Sequence, residues 1–279
     1  MILETLQQPF MQRAFLVGAI AAVPFGLIGA FVVVRRIGYL AGAIAHCAFG
    51  GIGIGLYLQY LLAGTLVASF FSPMFVALAV AVLSALLVGV IRIKAKERED
   101  TIIGAVWAFG MALGLLLFEK TPGNTGITNF LFGNILLITP TDVVLVSTLT
   151  ILILASVFLL FKRLEAVCFD EEFARLRGVP TTFYFQLLLV LTALTVVLMV
   201  RIVGIVLVIA MLTLPAATAC RLARKLFSIC ILSTILAVLS TWIGLGVSVW
   251  GNFSAGPAIV LVAVVFYVFS LLFSVSKNI

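Results

Sequence analysis

Apolar runs long enough to cross a lipid bilayer recur along this chain of 279 residues and limit its fold more than any other feature. A helix needs roughly 20 apolar residues to cross the hydrocarbon core, where every backbone polar group must bond within the protein. Hydrophobic residues make up 64% of the chain and charged residues only 10%, against about a quarter charged in soluble domains. The sequence therefore predicts an all-α polytopic membrane protein, with residues 1–279 in one transmembrane domain.

Charged and turn residues divide the apolar sequence into nine candidate spans. The first is followed by Arg35 and Arg36 rather than by a small-residue cleavage site, so it is interpreted as a retained span and not as a signal peptide. The segment before Phe15 is apolar on one face, which leaves a tenth, half-buried element open. The nine spans are Phe15–Val34, Gly38–Leu61, Val67–Ile91, Thr101–Phe118, Val143–Phe161, Phe183–Val200, Ile202–Ala219, Leu226–Trp250 and Gly256–Val275.

Basic residues are distributed very unevenly between the two sets of loops. Of the 17 lysines and arginines, all except Arg13, Lys120 and Arg201 fall on one side if the nine spans alternate. By the positive-inside rule that side is the cytoplasm, which predicts an outside N-terminus and a cytoplasmic C-terminus. The same topology accounts for the net charge of +7, so no nucleic-acid partner is needed to explain it.

Two connections are long enough to form elements of their own. The outward one, residues 119–142, contains the turn residues Pro122, Gly123 and Asn124, followed by an apolar stretch too short to span. It predicts a short re-entrant or outer-surface helix near residues 124–140. The inward one, residues 162–180, reads "KRLEAVCFDEEFARLRGVP" and predicts a short cytoplasmic helix.

This cytoplasmic helix is predicted from a complete set of start and stop signals. Asp170 can cap its N-terminus, and acidic residues follow in the first turn, where the helix dipole favours them. Gly178 suits a left-handed stop, and Pro180 cannot continue the helix. In the first turn, Glu171 is also placed to pair with Arg175 one turn later. The acidic residues are Glu171 and Glu172.

Phe173 and Leu176 lie three residues apart on one side of this helix. They either form a docking face for another protein or pack back on the inner surface of the chain itself. Spacing alone favours neither alternative.

His46 is the only histidine of the chain and lies within the second span. It is either a ligand on a transport path or a side chain that donates to a backbone carbonyl and packs between helices. One imidazole cannot form a tight cage, because zinc takes about four ligands. The candidates to complete a weak site are water, backbone carbonyls, a second subunit's His46, and the side chains of Cys47, Met211 and Thr213.

Pro215 lies inside the seventh candidate span. A proline lacks the N–H that would bond to the carbonyl one turn earlier, so it predicts a helix kink and a free carbonyl near Met211. This carbonyl is one of the oxygen atoms that a passing cation can use.

Seven sequence blocks, in order along nearly the whole chain, resemble the ABC-3 family. This family comprises the integral-membrane permease subunits of ATP-binding-cassette importers for manganese, zinc and iron. Any one block alone is a weak signal, but the ordered set is specific. The blocks are "PFMQRAFLVG" at Pro9, "GAFVVVRRIGYL" at Gly29, "EDTIIGAVWAFGMALG" at Glu99, "FLFGNILLITPTDV" at Phe130, "DEEFARLRGVP" at Asp170, "LPAATACRLAR" at Leu214 and "SAGPAIVLV" at Ser254.

The resemblance implies a single permease domain that pairs with a second copy of itself in a bacterial inner membrane. It also implies two cytoplasmic ATPase subunits and an extracytoplasmic metal-binding protein that delivers the cation. ATP chemistry must come from the partner, because this sequence contains no GxxxxGK[ST] loop. The chain is therefore expected not to be an enzyme, and to hold its divalent metal as transported substrate rather than as a tightly bound cofactor.

The resemblance also implies that residues 170–178 form the coupling helix that sits in a groove of the ATPase, which favours the docking alternative for its apolar face. Five residues match the family pattern there, and two more form the face. The matching residues are Asp170, Glu171, Glu172, Ala174 and Gly178, and the face consists of Phe173 and Leu176.

The chain departs from the family at two ligand positions. Many members carry an aspartate four residues before the histidine of the second span, where this chain has Gly42 while keeping His46. Some zinc-type members carry a histidine in the fourth span, where this chain has Ala108 and Phe109. Which metal is moved therefore stays undecided between zinc, manganese and iron.

Two alternative transport functions stay open. A siderophore- or cobalamin-type permease usually has a longer chain and more spans. A stand-alone secondary carrier generally needs carboxylates inside the membrane, whereas every acid here lies at a loop or span end.

Overall fold

Ten α-helices lie within residues 8–64, 71–94, 99–122, 131, 133, 138–200 and 204–273, which are the residues that a computed structural model of this chain describes. No strand occurs among these residues. The helices are α1 (Pro9–Val34), α2 (Gly38–Leu61), α3 (Pro73–Lys94), α4 (Glu99–Lys120), α5 (Pro140–Phe169), α6 (Glu171–Leu176), α7 (Thr181–Val200), α8 (Ile205–Leu222), α9 (Leu226–Gly251) and α10 (Ala255–Phe273).

Nine of these helices correspond one to one to the nine predicted spans. Eight of them are long and apolar enough to cross a membrane, and α8 contributes a shorter apolar segment, Val208–Leu222. The predicted all-α polytopic fold is confirmed. It follows from the requirement that a chain in hydrocarbon satisfy its backbone within each helix.

The ends of several spans differ from the sequence-based limits. Helix α1 already begins at Pro9, where the missing N–H of proline costs nothing, so Pro9 to Phe15 is not a separate element. Helix α3 begins at Pro73 rather than Val67, and residues 67–70 lie outside the described residues. The helix predicted near 124–140 also lies outside them, apart from residues 131, 133 and 138–140.

Helix α5 is the longest element, with 30 residues, and extends eight residues past its predicted end at Phe161 to Phe169. Its start is fixed by a capping box, in which Asp142 Oδ2 accepts from the Thr139 backbone N–H at 2.9 Å and from its hydroxyl at 2.7 Å. Such a box satisfies donors that have no partner within the helix. At its other end the helix continues directly to Asp170, the N-cap of α6.

The helices divide into an inner and an outer group. Helices α1, α2 and α7 have most of their span residues buried, whereas less than a third of the span residues of α3, α4, α5 and α10 are buried. The exposed side chains of the outer group are themselves large and apolar, for example Leu83, Phe109, Phe158 and Leu261. Such an apolar outer surface is stable only in contact with lipid or with another apolar protein surface.

Glycines let neighbouring helices approach closely, as small residues commonly do in membranes. Helix α4 lies so near α2 that a Cβ on Gly110 would be 2.8 Å from Cys47 Cα, and a Cβ on Gly50 would be 2.9 Å from the Gly110 carbonyl oxygen. Gly104 does not belong to this set, because nothing lies within 4 Å of the place its Cβ would take. Position 104 therefore makes no close helix contact among the described residues.

Candidate translocation site and surface helix

His46 lies in the interior of the helix bundle, with only 6% of its surface exposed. Its imidazole stacks on the indole of Trp107 in α4, with ring centroids 4.4 Å apart and planes inclined by 21°. Its Nδ1 atom is buried and has no hydrogen-bond partner among the described residues. A buried polar atom without a partner costs free energy, so the structure keeps at this point a nitrogen lone pair or N–H that a ligand can use.

The close contact of α2 with α4 brings these two rings together. Because a Cβ on Gly110 would also lie 2.8 Å from the His46 carbonyl oxygen, the two backbones are almost in contact one turn from Trp107. At this separation the Trp107 indole lies close to the His46 imidazole, with 21° between the two planes. The small residue at position 110 is thus one condition for the stacked pair.

Gly42 precedes His46 by one helical turn and lies on the same face of α2. A Cβ at this position would be 2.9 Å from Trp107 Cζ3 and 3.2 Å from Ile209 Cδ1. The indole and the Ile209 methyl group therefore occupy the volume in which the family's aspartate would project. The absence of the carboxylate and the presence of Trp107 are two parts of one packing arrangement.

Trp107 is the site residue that sequence reasoning missed. Trp107 begins the segment "WAFGM", in which Ala108 and Phe109 stand where some family members carry a histidine. Phe109 is instead 68% exposed on the outside of the bundle. The indole two residues earlier is the group that meets His46.

Cys47 is adjacent to His46 in sequence but is directed elsewhere. Its Sγ lies 3.5 Å from the Val106 carbonyl oxygen, to which it donates. It also lines a groove of about 430 Å³ between α2, α3 and α4, together with Ser84 and the exposed Leu83. Cys47 and His46 are thus not brought to one point.

Met211 and Thr213 lie on α8. Met211 is fully buried in the core, and the Thr213 hydroxyl donates to the Ile209 carbonyl within its own helix at 2.8 Å. The side chain of α8 that reaches the His46 region is Ile209, through its contact with the Gly42 position. In the part of the chain that the structure describes, no three His, Cys, Asp or Glu side chains form a cluster able to hold a metal ion.

Pro215 lies inside a helix that runs without interruption from Ile205 to Leu222. Its missing N–H removes the usual donor for the Met211 carbonyl. The helix kink at Pro215 stays a prediction. What α8 contributes to the site is the Met211 carbonyl oxygen, which lacks its usual donor within the helix.

The short helix α6 forms where the sequence predicts it. The Asp170 carboxylate accepts a hydrogen bond from the Phe173 backbone N–H at 2.8 Å, which caps the N-terminus. At the other end Gly178 adopts a φ of +79°, in the left-handed region that favours glycine. Ala174 is buried against the bundle and Glu172 is exposed, so the helix has one attached side and one free side.

The free side of α6 carries both apolar residues of the proposed face. Phe173 is 52% exposed and Leu176 is 81% exposed. The Arg177 guanidinium lies over the Phe173 ring at 5.0 Å. The alternative in which Phe173 and Leu176 pack back on the chain is therefore wrong, because the buried side of this short helix is taken by Ala174.

Glu171 does not form the ion pair that its spacing from Arg175 predicts. Its carboxylate pairs instead with Arg35, at the end of α1. The Arg35 side chain is only 14% exposed, and its guanidinium lies 5.8 Å from the centre of the Phe185 ring in α7. A partner 136 residues away in sequence cannot be found from helical spacing.

Comparison with known proteins identifies the family. The sequence profile of the ABC 3 transport family matches residues 7–274. The chain therefore belongs to this family. A relative from Chlamydia pneumoniae, named "Probable metal transport system membrane protein", is 39% identical over 92% of this chain and 86% of its own length. The manganese transport system membrane protein MntC of Listeria monocytogenes is 30% identical, over 96% of this chain and 92% of its own.

A solved structure supports the same assignment. PsaBC from Streptococcus pneumoniae, in complex with Fab, has 30% identity and a TM-score of 0.85, covering 97% of this chain and 94% of the other. This chain is accordingly a multi-pass membrane protein, the metal-transporting permease component of an ABC transporter, and not an enzyme.

Proposed function

We propose that this permease imports a divalent transition metal (zinc, manganese or iron) across a bacterial inner membrane, and that its C-terminus lies in the cytoplasm. It acts as a homodimer with two cytoplasmic ATPase subunits, and an extracytoplasmic metal-binding protein delivers the cation. The single observation that carries this proposal is the helix α6, which is capped and ion-paired yet presents Phe173 and Leu176 to solvent.

The docking role of α6 is supported by how firmly it is held. A helix of six residues is unstable alone, and here Asp170, the Arg35 ion pair and the left-handed Gly178 define both of its ends. Its exposed apolar side chains cost free energy in water unless a partner covers them. A rigid helix with a small apolar face fits a groove on a soluble ATPase subunit. Such a helix can transmit movements of the ATPase to the permease.

The metal path is proposed to pass His46. An unpartnered, buried Nδ1 in the bundle interior provides one nitrogen ligand. Zinc or iron accepts imidazole, whereas manganese prefers oxygen, which here can come from water or from the Met211 carbonyl freed by Pro215. A transport path needs to release the metal ion again. A single strong ligand permits this release, whereas a closed site with four ligands would retain the ion.

Cys47, Met211 and Thr213 remain secondary candidates on this path. Thr213 keeps its oxygen lone pairs, although its proton is engaged by Ile209. Cys47 and Met211 need a rearrangement of the helices to reach the same point as His46. An alternating-access cycle, in which helices shift between an outward-open and an inward-open state, provides such a rearrangement.

The test is uptake into proteoliposomes that contain the permease, its ATPase and its binding protein. Zinc, manganese and iron(II) are supplied in turn, and we expect ATP-dependent uptake of at least one. His46→Ala should lower that uptake at least about tenfold, the effect of losing one ligand interaction of about 1.4 kcal/mol. Ser156→Ala, on α5 and away from the proposed path, is the control and should leave uptake unchanged.

Three outcomes contradict the proposal. Uptake in vesicles without the ATPase would identify a stand-alone carrier, and uptake of metal chelates but not of free cations would identify a siderophore- or cobalamin-type permease. Normal uptake by the Phe173→Ala/Leu176→Ala variant would exclude the docking role of α6. Phe183→Ala, an exposed aromatic residue outside α6, controls for the loss of surface apolar area.

A further inference from the structure

A continuous groove runs along the outside of the bundle at the junction of α5 and α9. Its apolar part, about 290 Å³, lies between α1, α5 and α9. Its second part, about 570 Å³, lies beyond it toward the α6 end of α5. The two parts share Phe158, Phe161 and Phe227, so one elongated molecule can occupy both.

The apolar part is lined almost wholly by hydrocarbon side chains. Ile231 and Ile235 from α9 face Leu154 and Phe158 from α5 across it. Phe158 is 84% exposed, and both isoleucines are also exposed. These residues belong to segments long and apolar enough to cross a membrane, so an acyl chain of the bilayer is a ligand of matching chemistry.

The second part of the groove is basic. Among the described residues that line it, Lys162, Arg163 and Lys225 are basic and Glu165 is the one acid. Lys162 Nζ lies 3.2 Å from Glu165 Oε2, and Arg163 donates to the Tyr184 hydroxyl at 2.6 Å. Two positive charges therefore remain in excess at the point where the apolar groove ends.

Lys225 is the cation best placed to meet an anion. No side chain caps α9, which begins at the next residue. The free backbone N–H groups of that first turn therefore add positive potential beside the ammonium group. The Lys225 ammonium itself is exposed, and no described side chain pairs with it.

We infer that this groove is a binding site for an anionic phospholipid. The phosphate group lies on Lys162, Arg163 and Lys225, and an acyl chain lies between Phe158 and Ile231. Basic pockets at the ends of membrane helices favour anionic head groups by about 1 kcal/mol per cation. The proposed topology places this lipid in the cytoplasmic leaflet; the site itself does not depend on which metal is transported.

The groove lies where a bound lipid would contact both α5 and α9 close to helix α6. Phe169, the last residue of α5, also lines the basic part and is followed directly by the Asp170 cap of α6. A lipid bound here braces α5 against α9 at the base of α6. We therefore expect lipid binding to raise the melting temperature of the whole permease, and not only to coat its surface.

The experiment uses the full chain, purified in a neutral detergent and titrated with lipid in native mass spectrometry. Phosphatidylglycerol is compared with phosphatidylcholine of the same acyl chains. We expect the anionic lipid to bind about tenfold tighter. Lys162→Gln/Lys225→Gln should abolish this preference, while Lys162→Arg/Lys225→Arg should keep it. Arg221→Gln, an exposed cation near α9 but outside the groove, should leave it unchanged.

The apolar half is tested separately. Ile231→Trp, which fills the groove, should weaken phosphatidylglycerol binding several-fold, whereas Leu239→Trp on the same helix but outside the groove should not. Equal binding of the two lipids by the wild-type chain, or an unchanged preference in the double glutamine variant, would overturn the proposal. So would full displacement of the lipid by glycerol 1-phosphate, because the site would then recognise phosphate alone. If the double glutamine variant melts early, the comparison of Ile231→Trp with Leu239→Trp, which changes no charge, decides the proposal.

Discussion

Glu171 at the start of helix α6 forms an ion pair with Arg35 at the end of helix α1, and the two residues are 136 positions apart. Arg35 is followed by Arg36, whose φ of +60° turns the chain sharply toward α2. Helix α2 carries His46. The ion pair therefore connects the surface helix proposed to meet the ATPase with the turn that leads into the proposed metal path.

Removing the Arg35–Glu171 ion pair should weaken the coupling between helix α6 and the proposed metal path. We expect Glu171→Gln to leave a largely buried Arg35 without its anion, at a cost of about 1–2 kcal/mol after allowance for the solvent-exposed side of the pair. Metal-stimulated ATPase activity in the reconstituted transporter should fall, while the basal activity of the ATPase subunits stays the same.

The charge-reversed pair Arg35→Glu/Glu171→Arg is the control for this prediction. If the attraction itself matters, the double variant should recover more activity than either single reversal. Equal loss in the single and double variants would mean that the family's acidic residue contacts the ATPase directly, and not through Arg35.

Gly178 should tolerate asparagine but not valine. Its φ of +79° costs an ordinary residue about 1–2 kcal/mol and a β-branched residue more, whereas asparagine adopts this region readily. Gly178→Val should therefore abolish uptake while the protein still assembles in the membrane, as measured by size-exclusion chromatography. Full uptake by Gly178→Val would show that the end of α6 need not be rigid.

Restoring the family's aspartate should fail unless the indole is removed as well. Gly42→Asp alone places a side chain against Trp107 Cζ3, where a Cβ would already be only 2.9 Å away. Overpacking of this kind typically costs about 1–3 kcal/mol. We expect a lower melting temperature and weaker uptake.

The double variant Gly42→Asp/Trp107→Ala supplies both the carboxylate and the space for it. It should bind a divalent cation more tightly than the wild-type chain, as measured by isothermal titration calorimetry. Trp107→Ala alone is the matched control, because it opens the space without adding charge. Equal metal affinity in all three proteins would mean that position 42 does not face the path.

Substitution by alanine should affect the thermal stability differently at two glycines of α4. Gly110→Ala pushes α4 away from Cys47 of α2 and should lower the thermal stability in detergent, by about 1–3 kcal/mol. Gly104→Ala meets nothing within 4 Å and should leave stability unchanged or raise it slightly, because alanine is the better helix former. Similar melting temperatures for the two variants would show that α2 and α4 are not in close contact.

Much of this protein is determined by local sequence. The spans follow from the length of their apolar runs, because about 20 consecutive apolar residues cross the hydrocarbon as a helix, which satisfies its own backbone hydrogen bonds. Helix α6 follows from Asp170 and Gly178, whose cap and left-handed turn involve only atoms a few residues away. His46 stands out because it is the only histidine of the chain.

The tertiary structure alone decided which side chains meet. Nothing local distinguishes Arg35 from Arg175 as the partner of Glu171, and nothing local places Trp107 over His46 and Gly42. These contacts depend on which faces of two helices meet and on how closely a glycine such as Gly110 lets them approach. Apolar periodicity can show that a helix has an inner face, but only the packed bundle shows what lies against it.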